Sequence, residues 1–282
     1  MILFVLQCFV VLASDWKPAF QLMPESAWQP PTGNFSMGTS FIRFAPTDKV
    51  SFSAVPFLYI PVVFKEIPTA INGSAKIRIL KDENWWINAD IGFLRMNLLG
   101  SVEELDENAD AIFYIYPMQL KATRRISENF SVGAIFKYNR MGFGLAGRND
   151  GANQYELNGT LATSNSHIKF NVCWTLSDKW SVWYHRNRML HQDISGSNYN
   201  MVLLENGTKV ETFLQATSDV SRFMGSKSYG YRLYRKGTYL DYMVGFDMGD
   251  APLYLIGVVP PKPDVEEVQN IPMPYASMNL YF

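Results

Sequence analysis

The sequence predicts an all-β fold, an antiparallel barrel closed on itself with an apolar face turned outward. Three observations carry that expectation. Apolar and polar residues alternate with period two along several stretches. Short polar turns of similar composition recur at one end of those stretches. The chain of 282 residues closes on an alternating segment that runs to Phe282.

The alternation is clearest over residues 130–138. Phe130, Val132, Ala134, Phe136 and Tyr138 make one face there, and Ser131, Gly133 and Lys137 the other. Ile87, Ala89, Ile91 and Phe93 oppose Asn88, Asp90 and Gly92. Ile168, Phe170, Val172 and Trp174 oppose Lys169, Asn171, Cys173 and Thr175. Val50, Phe52, Ala54 and Leu58 oppose Ser51 and Ser53, and Leu240, Tyr242, Val244 and Phe246 oppose Asp241, Gly245 and Asp247. Such strands need apolar surroundings on one side only.

The turns repeat. Ile126 to Val132 reads ISENFSV, and Leu176 to Val182 reads LSDKWSV. Thr47–Phe52, Lys81–Ile87 and Tyr234–Leu240 are looser copies. Ser and Asp favour them because their side chains bond nearby backbone groups. Trp85, Trp86, Phe130, Trp180 and Tyr239 start strands just after these turns, and Trp174 lies just before one, the placing of an interfacial girdle. The opposite connections, 98–110, 140–154 and 185–200, read as longer polar loops. Five tight turns imply ten strands, and two more reach the termini, so about twelve are expected. Ten or fourteen stay open, because Glu205-Asn-Gly-Thr208 reads either as a projection or as a sixth tight turn, and residues 247–274 resist threading.

Composition agrees. Aromatic residues make up 15% and charged residues only 18%, a balance suited to strands at an interface. The formal net charge of -1 excludes a nucleic-acid binder that works by electrostatics. Residues 2–13, ILFVLQCFVVLA, have the length of a signal-peptide core and are too short to span a bilayer as a helix. Residues 1–13 are therefore expected to be a leader and 14–282 a single barrel domain; a buried strand is the other reading of the run. With the leader removed, Cys173 is the one cysteine left, which excludes an internal disulfide and suggests packing.

The last residues place Ala276, Met278, Leu280 and Phe282 on one face, and Tyr275, Ser277, Asn279 and Tyr281 on the other. With the leader and the turn pattern, this end resembles the bacterial outer-membrane β-barrel proteins, whose last strand closes the barrel and ends in Phe. The resemblance implies an outer-membrane location in a Gram-negative bacterium, and a transmembrane barrel with short periplasmic turns and longer extracellular loops. It also implies membrane lipid and the barrel-assembly machinery as partners, with Met278, Leu280 and Phe282 as recognition positions.

The face opposite the apolar one carries Lys76, Arg78, Asp90, Gln119, Lys121, Lys137, Lys169, His185 and Asp241. The signs are mixed, so pairing across the lumen is expected ahead of a strongly ion-selective pore. Residues 185–198 hold two of the three His. His191, Ser195 and Asn198 invite comparison with outer-membrane phospholipases, where a His takes the proton of a Ser hydroxyl. The spacing departs from that family's, in which His and Ser sit two apart on one strand face. No metal-ligand spacing and no phosphate-cradling glycine loop is found, so no cofactor is expected. The leading expectation is a non-enzymatic barrel, a narrow solute passage or a structural surface protein. A lipid hydrolase near 185–198 and a secreted soluble β-protein are the alternatives.

Overall fold

The computed structural model describes residues 26–30, 32–38, 42–55, 70–97, 110–149, 154–205, 208–215, 227–237, 240–249 and 273–281. The expected leader at 1–13, Tyr239 and Phe282 lie outside them.

Every described strand belongs to one antiparallel sheet. The chain runs through β1 (Phe35–Gly38), β2 (Ile42–Phe44), β3 (Val50–Ala54), β4 (Ala70–Lys81), β5 (Trp85–Asn97), β6 (Asp110–Ser127) and β7 (Phe130–Asn149). It continues through β8 (Gln154–Thr175), β9 (Trp180–Glu205), β10 (Thr208–Gln215), β11 (Lys227–Arg235), β12 (Leu240–Gly249) and β13 (Met273–Tyr281). Neighbours in sequence pair from β1 to β9, β9 pairs β11, β11 pairs β12, β12 pairs β13, and β13 returns to β1. The ring is closed by twelve strands. Closure leaves no sheet edge around the ring, which is what a strand protein needs where water cannot satisfy the backbone.

The thirteenth strand settles the hairpin that the sequence left open. β10 pairs with β9 over Asn198–Glu205, while β11 pairs with it over Trp180–Arg188. Both follow the turn between Glu205 and Thr208, so that turn caps a projection at the end opposite the tight turns. The five tight turns join β2 to β3, β4 to β5, β6 to β7, β8 to β9 and β11 to β12.

Two stretches expected as loops are largely strand. β7 runs to Asn149 and β8 starts at Gln154, and β9 continues through residues 185–200. Their ladders continue with bulges near Ala162 and His167. Polar residues on both faces suit a strand that rises where both faces meet water, and its backbone groups stay paired. The wall is lowest, among the described residues, at β1, β2 and β3, which are 4, 3 and 5 residues long.

The faces follow the alternation. Phe52, Ile91, Phe136, Phe170, Val244 and Leu280 are exposed, whereas Ser51, Asn88, Ser131, Asn171, Asp241 and Ser277 are buried. The sense is inverted relative to a soluble protein, which hides its large apolar side chains. Trp85, Trp174 and Trp180 lie exposed beside the tight turns. Trp86 departs from the expected girdle: it is buried in the lumen, because of two adjacent strand residues only one can face outward. Arg124 lies over the Trp85 ring at 5.3 Å and Arg235 over the Trp180 ring at 5.6 Å.

Candidate functional site

The inward face is a wall of hydroxyls, amides and charges. β7 and β8 contribute Ser131, Asn139, Asn165, His167 and Asn171, and β9 adds Ser181 and His185, all buried. Buried polar groups must find partners or cost free energy. Many of them find partners on neighbouring strands and on a segment that precedes β1, while Asn165 Nδ2, Asn171 Nδ2 and His185 Nδ1 meet none among the described residues.

Residues 26–30 form that segment, a strap laid against β3, β4, β5 and β6 near the tight-turn end. Ala27 donates its N–H to Thr123 Oγ1 at 2.9 Å, and Asn88 Nδ2 donates to the Ala27 carbonyl. Lys76 Nζ donates to the carbonyl oxygens of Ser26 and Trp28 at 2.9 and 3.0 Å. Gln29 donates Nε2 to the Lys76 carbonyl at 2.7 Å and accepts at Oε1 from Ser51 Oγ at 2.8 Å. The chain then turns at Gly33, with φ of 79°, and enters β1. A buried ammonium needs oxygen partners, and two of those of Lys76 are backbone carbonyls of the strap. Lys121, Asp90 and Arg43 are its charged neighbours. Lys121 itself pairs with Asp90 at 2.5 Å.

A second cluster lies on the other side of the ring. His185 Nε2 is 3.0 Å from Asp247 Oδ1, and Arg232 NH2 is 2.6 Å from Asp247 Oδ2. Gly230 sits between them in the ladder, opposite His185 on β9 and Asp247 on β12. Above the cluster, Asn139 Nδ2 donates to Asn165 Oδ1 at 2.8 Å, and His167 Nε2 meets the same oxygen at 3.0 Å. Below it, the Tyr234 hydroxyl donates to Asp241, and the Gly237 N–H donates to Asp241 Oδ1 at 2.9 Å. In the turn between β11 and β12, burial lowers the pKa of Lys236, against the pull of Asp241 and Asp178.

Ion pairs do form among the mixed charges, but along the wall rather than across the lumen as expected. Lys121 with Asp90 joins β6 to β5, and Arg232 with Asp247 joins β11 to β12. Adjacent strands lie about 4.8 Å apart, within reach of one side chain, whereas the opposite wall of a twelve-strand barrel is not.

His191 is exposed on β9, beside the bulge opposite Ser166 and His167. Ser195 and Asn198 lie farther up the same strand, with side chains outside the described residues. The structure places His191 away from His185, which faces the lumen. Met278 and Leu280 are exposed on the outer face of β13. The strap, Arg232 and His167 were not singled out in the sequence. Arg232 was legible in principle, from the alternation of Tyr231, Leu233 and Arg235 with Arg232 and Tyr234. The strap has no periodicity by which to be found.

No family model and no curated protein matches the chain. Among solved structures it is similar to the CymD monoaromatic hydrocarbon channel, with 12% identity over 90% of this chain and 89% of that one and a TM-score of 0.46. It is similar also to the Pseudomonas putida toluene transporter TodX, with 9% identity over 77% of this chain and a TM-score of 0.37; the chain spans 63% of that protein's length. The NanC porin matches with 8% identity over 88% of this chain and 98% of that one and a TM-score of 0.31.

Proposed function

We propose that the protein is an outer-membrane β-barrel that passes small hydrophilic solutes through a lumen narrowed by the strap. The observation that carries this reading is the inverted sidedness of a closed ring, apolar outside and polar inside. Lipid covers such an exterior at no cost, while water would not. The tight turns then face the periplasm and the β9–β10 projection faces outward, following the asymmetry of such barrels. Barrel-assembly machinery is the expected handler of β13, with Met278, Leu280 and Phe282 as its recognition positions.

Amides and hydroxyls favour uncharged polar solutes, and on the described inward face Arg43, Lys76, Lys121, Lys137, Lys169 and Arg232 outnumber Asp90, Asp241 and Asp247, which favours anions over cations. The folded protein in planar bilayers should give small conductance steps with a modest anion preference. A silent bilayer with folded barrel present would mean a closed structural barrel instead. Protein recovered freely soluble after export would end the membrane reading altogether.

A further inference from the structure

One stretch of the lumen wall, on β7, β8 and β9, carries positive charge and no acid. Residues 130–140, 163–175 and 180–188 contain neither Asp nor Glu. Lys137 on β7 and Lys169 on β8 both face the lumen there. Lys137 lies across the ladder from His167 and Lys169 across from Ile135, so the two lysines are diagonal neighbours on one face. Such neighbours stand about 7–8 Å apart, close enough for both ammonium groups to reach one small anion. The inward carboxylates of the walls on either side have their own partners. Asp90 on β5 pairs with Lys121, and Asp247 on β12 with Arg232 and His185.

Two amide donors flank the lysines. Asn165 Oδ1 accepts from Asn139 Nδ2 at 2.8 Å and from His167 Nε2 at 3.0 Å, and Asn187 Nδ2 donates to His167 Nδ1 at 3.3 Å. The oxygen of Asn165 is thus used twice, while its Nδ2 is buried with no partner among the described residues. Asn165 lies across from Asn139, which makes it a diagonal neighbour of Lys137 as well. Asn171 stands one step below Lys169. Its carboxamide lies over Gly133, where a Cβ would come within 2.3 Å of Oδ1, and its Nδ2 also has no partner among the described residues. Asn165 is 1% exposed and Asn171 3%. A buried N–H without an acceptor costs free energy that a ligand oxygen would return. Two ammonium groups and two amide donors are complementary to a group that only accepts, and an ionised carboxylate is one, with two oxygens to share among them.

We propose that Lys137, Lys169 and Asn165 form a binding site for the carboxylate of a small organic anion, with Asn171 donating to a further oxygen of the same molecule. The site deepens the reading of the lumen as a passage by giving it a solute class, and it rests on that lumen being open to water. It separates the charges of the wall by their work: Lys121 and Arg232 join strands through Asp90 and Asp247, and Lys137 and Lys169 hold solute.

The test uses gluconate, which joins a carboxylate to a row of hydroxyls, and glucose as its uncharged counterpart. Folded protein in detergent micelles, checked by heat-modifiable migration in gels, is titrated with each by calorimetry in a buffer low in chloride. Wild type should bind gluconate about tenfold more tightly than glucose. A variant carrying Lys137→Gln and Lys169→Gln should lose that preference. Asn165→Asp keeps the oxygen that Asn139 and His167 use and replaces the amide donor by an acceptor, so it should weaken gluconate by about tenfold. A variant carrying Arg124→Gln and Arg235→Gln removes the same charge from the outer wall and should bind as wild type does. If the double lysine variant does not fold, Lys137→Gln and Lys169→Gln made singly should each lose part of the preference. Unchanged gluconate affinity in the folded lysine variants overturns the proposal. Displacement of gluconate by an equal concentration of chloride overturns it too, by showing a site for charge alone. The same proteins in planar bilayers separate the two readings. A conducting barrel that binds no gluconate sinks the site and leaves the passage, whereas a silent barrel that binds gluconate sinks the passage and leaves the site.

Discussion

Gly230 shows how one residue holds the second luminal cluster together. A Cβ there would stand 2.0 Å from Asp247 Oδ1, 2.7 Å from His185 Cε1 and 2.7 Å from the Phe246 carbonyl oxygen. The carboxylate can swing away, but the carbonyl is part of the ladder and cannot. Gly230→Ala should therefore destabilise the barrel by roughly 1–3 kcal/mol, the usual range for overpacking. Gly144→Ala, whose added Cβ meets nothing within 4 Å, should stay within about 0.5 kcal/mol of wild type. Urea unfolding in detergent micelles gives both numbers, and equal midpoints for the two variants would show that His185 and Asp247 do not depend on the glycine. The faces of these residues were legible in the sequence: alternation alone puts His185 and Asp241 inward. Their partners were not, because which side chains meet depends on the register between β9, β11 and β12, and no local pattern encodes a register between strands so far apart in the chain.

The strap is an element whose docking is closely balanced. Fixing five residues costs roughly 5–10 kcal/mol of backbone entropy, and its six hydrogen bonds to the wall return roughly 3–9 kcal/mol. Lys76 supplies two of the six, so Lys76→Met should release the segment. With Cys8 replaced by Ser, a cysteine introduced as Ala27→Cys should resist maleimide beside the native Lys76 and react in the Lys76→Met background, with the buried Cys173 giving little background. Equal protection in both would show that Lys76 does not hold the strap. The strands around it were legible in the sequence because each repeats one choice, apolar out and polar in, over many residues. The strap makes each contact once, and four of its six bonds use backbone groups that any residue type would supply, so little in its composition announces it. The β9–β10 projection is a middle case. Its hairpin was readable from Glu205 and Thr208 and the residues between them, but the end of the barrel it belongs to depended on the direction of β9, which rises from the tight turn after β8. A short epitope inserted between Glu205 and Thr208 should therefore bind antibody on intact cells, and binding only after the outer membrane is breached would reverse the orientation.

At the scale of the whole molecule, the same alternation that defines the faces decides which solvent each meets. Phe136 and Ile135 are neighbours on β7, with Phe136 exposed at 46% and Ile135 buried at 4%. Phe136 stands six residues beyond the tight turn at Phe130, a climb of about 15 Å, close to the middle of an apolar band about 25 Å tall. In water, Phe136→Arg would remove an exposed apolar ring and change stability by less than about 0.5 kcal/mol. In lipid, the same change near the midplane costs about 2–4 kcal/mol. Folding into phosphatidylcholine bilayers, followed by urea titration of the heat-modifiable form, measures the difference directly. Wild type should insert, Phe136→Arg should lose about 2–4 kcal/mol, and Phe136→Leu should lose much less because it stays apolar. If Phe136→Arg is neutral while the barrel remains folded, the outer wall does not face lipid. The solute passage would then have to be abandoned, since it takes its position from that wall.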